Sequence, residues 1–132
     1  MKGMLDKHSL EAVLETLPVE FSVVDRNDNV VAWNKHETRI FKRPEGVLGR
    51  NVRDCHPQKS LGKVLQILKE MKEGNRDKAR FWIDIGEEGS QRKVLIEYYA
   101  LRSPAGEYLG CLEASQDITD ILTIEGQKRI LD

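Results

Sequence analysis

The sequence is short of several things, and each shortage removes a class of function. Positive charge is not in surplus: 21 Lys and Arg stand against 22 Asp and Glu, a net charge of -1 at pH 7. Nucleic acid and anionic membranes both call for a concentrated basic face, so neither is an expected partner. No apolar run approaches the roughly 20 residues of a membrane span. The opening MKGMLDKHSLEAVL mixes charges among its apolar residues, unlike a secretory leader. Only two cysteines occur, Cys55 and Cys111, in no CxxC pair, which reads as free thiols in a reducing cytoplasm. Gly-x-Ser-x-Gly, Walker and HExxH motifs are missing, and so are internal repeats and low-complexity stretches.

What is there describes one globular domain. Its 132 residues, 39% apolar and 33% charged, suffice to bury about two-thirds of the unfolded surface. Leu10, Val13, Leu14 and Leu17 follow helical spacing, predicting a helix over 7–17 that stops at Pro18. EFSVVD and NVVAW, separated by RND, read as a hairpin, and Asn34 suits a cap for a short helix over KHETRIFKR. Gly46 and Gly49 break PEGVLGRNV into a turn or two. Leu61, Val64, Leu65, Leu68 and Met71 make the stripe of a long helix over 58–73, with Gly74 as its C-terminal cap. Three strands follow, ARFWIDI, RKVLIEYYAL and EYLGCLEAS, and DITDILTIEGQKRILD returns to helical spacing. The expected class is α+β, an antiparallel sheet with helices gathered on one face. The division is a flanking helix in 1–18, a core in 19–116 and a second flanking helix in 117–132.

This order, with FSVVDRNDNVVAWN at the opening hairpin, VLGRNV at the glycine turn and GEYLGCLEASQDIT at the closing strand, resembles a PAS domain over about residues 10 to 121. The run GRNVRDCHP looks like a prokaryotic subgroup sometimes attached to hemerythrin-like domains. The resemblance implies a cytoplasmic sensory module whose five-stranded sheet curls around a pocket for a small ligand. Flanking helices would pair between subunits and pass a change to a partner such as a histidine kinase. The alternative is a ligand-free homodimerisation module, and a more remote one is a small isomerase-like enzyme using Glu97 and Glu113.

Pro57 belongs in the first turn of a helix and holds His56 extended, so CHP reads first as a helix entry. The same place gives two chemical readings. Cys55 near a helix N-terminus would be thiolate-prone, and His56 would be the axial ligand if haem were the cofactor. Flavin photochemistry is not expected, because RDCHPQ lacks the light-sensing cysteine motif. Zinc is not expected either, since Cys55, Cys111, His8, His36 and His56 are scattered. The expected pocket residues are His56, Cys55, His36, Phe21, Val23, Leu65, Leu68 and Tyr98. KVLIEYYAL is apolar on both sides, which asks for cover over the outer face and favours a homodimer. Leu10, Val13, Leu14, Leu17, Ile121 and Ile124 are its expected contacts. Asp117, Ile118 and Thr119 form the expected joint between the last strand and the tail, with Thr119 capping the tail helix.

Overall fold

The computed structural model describes residues 1–131. Along the chain come α1 (Lys7–Thr16), β1 (Glu20–Asp25), β2 (Val30–Trp33), α2 (Val52–Cys55), α3 (Gln58–Lys72), β3 (Lys78–Ile85), β4 (Arg92–Arg102) and β5 (Tyr108–Asp117). The strands make one antiparallel sheet in the order β2-β1-β5-β4-β3, which leaves β2 and β3 at the edges. Val52 of α2 and Val64, Leu68 and Met71 of α3 pack with Val30, Val94, Ile96, Tyr98 and Cys111 to form the core. The expected α+β class is therefore found. No helix among the described residues is long and apolar enough to cross a membrane.

Local chemistry accounts for the element ends. Asp6 caps α1 by accepting from Ser9 N at 2.7 Å. The hairpin turn is held by the Asp25 carboxylate, which accepts from Asn27 N and Asn29 N. The stripe of α3 turns toward the sheet, and the helix closes with Gly74 left-handed at φ 78, Gly74 N donating to Met71 O and Asn75 N to Glu70 O. In β5, Gly110 lies against β1 so closely that a Cβ would run into the Val24 carbonyl oxygen.

Two expected helices are not formed. Residues 35–43 make turns, with Lys35 left-handed at φ 54. The reason is a long-range competitor: the Glu20 carboxylate accepts from Ile40 N at 2.5 Å and Phe41 N at 3.1 Å. The Arg39 guanidinium meanwhile donates to the carbonyls of Phe21, Asn34 and Phe41. Asn34 caps no helix. Its side chain accepts from Phe21 N and donates to Leu14 O and Val19 O, tying the end of α1 to the hairpin.

At the other end the expected helix over 117–132 is a single 3-10 turn, Ile121–Thr123, with no helix after it through residue 131. Thr119 does not cap it. The Thr119 hydroxyl accepts from Lys93 N at 2.8 Å and Ile118 N donates to Lys93 O, so the expected joint is stitched to the start of β4. Asp132 lies outside the described residues.

Candidate functional site

Strand alternation decides which side chains meet α3. Along β1 these are Glu20, Ser22 and Val24; opposite them on β5 lie Ser115, Glu113 and Cys111, and on β4 Ile96 and Tyr98. Phe21 and Val23 consequently point to the outer face, a correction to the expected pocket. A cavity of about 30 Å³ opens under α3, lined by Ser22, Val24, Val52, His56, Val64, Leu68, Tyr98, Cys111 and Glu113.

Of the expected pocket residues, His56, Leu68 and Tyr98 line this cavity. Leu65 packs against the core beside it. Cys55 ends α2 with its Sγ 3.3 Å from Asn51 O, away from the first turn of α3. His36 lies on a different surface: its Nδ1 accepts from Trp33 Nε1 at 3.0 Å, in an open groove with Val31, Ala32, Glu45 and Leu48. Ser22 and Glu113 were missed as pocket residues. The inward set on β1 is polar, and a polar strand face reads as the wet one until the partner strands are known.

A polar chain runs from the wall of the cavity into the core. Glu20 and Arg39 are paired at 3.3 Å with side chains only 3% and 2% exposed. Arg39 Nη2 donates to Ser22 Oγ at 3.2 Å, Arg43 Nε donates to the same oxygen at 3.1 Å, and Arg43 Nη2 lies 3.4 Å from Glu113 Oε2. Both buried charges are thus matched, as burial of an ion demands. Burial pushes the Tyr98 hydroxyl well above its ordinary value, with the Glu113 carboxylate adding to the effect. Burial first, and Glu113 second, push the Cys111 thiol up to about 12. At neutral pH both are therefore uncharged, and Glu113 faces its counter-ion Arg43.

The second polar cluster is structural. Asp28, 1% exposed and left-handed at φ 67, accepts from Arg53 Nη1 of α2 at 2.9 Å and Lys72 Nζ of α3 at 2.7 Å. It ties both helices to the hairpin turn. Glu97 and Glu113, the carboxylates of the enzyme reading, are not brought together. Glu97 pairs with Arg80 and Tyr99 on the outer face, while Glu113 faces α3.

Haem does not fit this cavity. At about 30 Å³ the hollow as it stands has no room for a macrocycle, although the imidazole beside it, with Nδ1 3.2 Å from Pro57 O and 3.4 Å from Ser60 Oγ, keeps Nε2 free. Among the described residues no three His, Cys, Asp or Glu side chains gather as a metal site.

A sheet of this order, with helices closing a small hollow against its inner face, is the architecture of sensory domains. The PAS domain family model matches residues 10–119, and the chain belongs to that family. The crystal structure of a C-terminal domain from Streptococcus mutans is similar at 32% identity and a TM-score of 0.85, covering 95% of this chain and 94% of that one. The PAS domain of BvgS from Bordetella pertussis shares the fold at 17% identity and a TM-score of 0.61, over 87% of this chain and 90% of that one. VqmA from Vibrio cholerae, described as a dimer and a DNA-binding receptor, matches at 18% identity and a TM-score of 0.63, over 98% of this chain and 60% of its own. No curated protein matches in sequence. With a fold neighbour described as DNA-binding, the expected lack of a nucleic-acid partner finds no support in the fold.

Proposed function

We propose that this PAS domain senses a small polar molecule in the cavity beneath α3 and signals by associating with a second copy through α1. The observation that carries the ligand reading is the convergence of Ser22, His56, Tyr98 and Glu113 on one hollow whose other walls are Val24, Val52, Val64, Leu68 and Cys111. Burying polar groups around a void costs stability, so a domain shaped for stability alone would fill that space with aliphatic side chains. Anything larger than water has to displace a wall. His56 is the wall placed to give way: it is half-buried, non-helical at φ -83 and ψ 142, and set at the joint between α2 and α3. The CHP motif is then both a hinge and a gate. Hydroxyl, imidazole and carboxylate groups suit a ligand with both donors and acceptors.

Self-association rests on α1. It has no buried residue, and Leu10, Val13 and Leu17 stay exposed beside half-buried Leu14. A helix of ten residues is marginal by itself and gains most of its stability from covering its apolar stripe. Ile121 and Ile124 are exposed too and extend the apolar surface available to the second copy. The joint at Asp117, Ile118 and Thr119 would relay movement of the sheet to the tail, and the output would pass to a partner chain such as a histidine kinase.

Native mass spectrometry of purified protein tests the ligand reading: a co-purified small molecule is expected, lost in His56→Ala and Tyr98→Phe. Leu10→Asp with Leu17→Asp should halve the mass in sedimentation. A dimer that carries no molecule and shows no thermal shift with added metabolites would favour the ligand-free interaction module, which the smallness of the cavity supports.

A further inference from the structure

The edge strand β3 is eight residues long, without proline or bulge. Phe81, Trp82 and Ile83 stand consecutively exposed on it, Trp82 at 61%. Protein edges of this length are usually bulged, covered or short, because unpaired N–H and C=O groups recruit another strand.

The ladder shows which groups point off this edge. Ala100 N donates to Asp77 O at 2.9 Å, and Ile118 N donates to Lys93 O on the other side of β4. The register is regular from Lys78 opposite Tyr99 to Ile85 opposite Arg92. Odd-numbered residues of β3 therefore exchange hydrogen bonds with β4, and Lys78, Arg80, Trp82 and Asp84 aim theirs outward. The side chains of these four lie on the sheet face turned away from α3.

We infer that β3 pairs antiparallel with β3 of a second copy of this chain, about a twofold axis at Trp82. Charge complementarity selects both occupant and register. With Trp82 facing its own copy, Arg80 of each chain lies opposite Asp84 of the other. Within the chain Arg80 already holds Glu97 at 2.9 Å, and Asp84 holds Lys93 at 2.6 Å. Each row across the joined sheets then reads Glu97, Arg80, Asp84, Lys93, with signs alternating throughout. Between the two rows the Trp82 pair is flanked by Leu95 from each copy, and on the α3 side Phe81 meets Ile83. Such a patch is self-complementary, as a twofold contact requires. Sliding the strands by one pleat sets Arg80 against Trp82 and splits both rows.

This contact goes beyond self-association through α1 and does not depend on it. Amide hydrogen exchange on the full chain tests it. Protection of the Lys78, Arg80, Trp82 and Asp84 amides should rise with protein concentration, a readout that association through α1 does not move. Arg80→Glu and Asp84→Lys, taken singly, set like charges opposite each other and should weaken this association by about tenfold or more. An equimolar mixture of the two variants pairs every new charge with an opposite one and should restore protection. Rescue by mixing also shows that both variants have folded. Exchange that is independent of concentration overturns the inference, and so does a mixture of folded variants that is no better protected than either alone.

Discussion

The two edges of the sheet are finished in opposite ways. At β2 the chain doubles back: Val30 N donates to Arg50 O, Gly49 N donates to Val30 O, and an irregularity at Val31 bends the strand. Behind it, the buried Glu20–Arg39 pair holds the turns of residues 35–43 in place. At β3 the edge is straight, and apolar side chains are displayed. Charge lies inside at one edge and apolar surface outside at the other, the reverse of ordinary partition. Buried charges serve where irregular chain needs every backbone group satisfied. Exposed apolar residues remain where the domain supplies no cover of its own.

That contrast can be broken from the β2 side first. Arg39→Met leaves Glu20 buried without its counter-ion and takes a donor from each of three carbonyls, and should cost about 3–5 kcal/mol in urea unfolding. A loss below 1 kcal/mol would mean that the pair does not hold the 35–43 segment. Next, Leu68→Ala in the α3 wall of the cavity should cost about 2–5 kcal/mol, whereas Trp82→Ala on the open edge should change monomer stability by about 0.5 kcal/mol or less. Equal costs at the two positions would erase the difference between closed and open halves.

Two titrations sharpen the comparison further. Because the Cys111 thiol is raised to about 12 in the folded state, its contribution to stability is complete below the unfolded value near 8.5. That contribution falls as pH rises toward 12. Thermal melts across this range should show the decline in the native protein and less of it in Cys111→Val. The smallest effect belongs to Asp117, held at about 2, chiefly by hydrogen bonding from Arg92. Its contribution is present above the unfolded value near 3.9 and disappears as pH falls toward 2. Arg92→Ala should move the carboxyl midpoint, followed by NMR, back up toward the ordinary range.

Much of this was legible in the residues. The stripe from Leu61 to Met71 and Gly74 together marked α3 to within a residue of its observed end, because periodicity and a left-handed cap are local. The hairpin and the three long strands were legible for the same reason. The helix expected over 35–43 was not formed, since its backbone groups are claimed by Glu20, a residue far back in sequence. Thr119 gave the right residue type for a cap and the wrong partner, because Lys93 N reaches it first. His56, Leu68 and Tyr98 of the cavity were identified, whereas Ser22 was not singled out and Glu113 entered only through the enzyme alternative.

The sequence by itself determined the α+β class, the order of its elements and membership of the PAS family, because helix stripes, turn residues and strand composition act over a few neighbouring positions. Only the tertiary structure decided which face of β1 looks inward, where Asn34, Arg39 and Thr119 spend their hydrogen bonds, and how small the hollow is. Those outcomes depend on contacts between residues distant in the chain. A buried ion pair or a cross-strand register can override local preference there without leaving any mark in the local pattern.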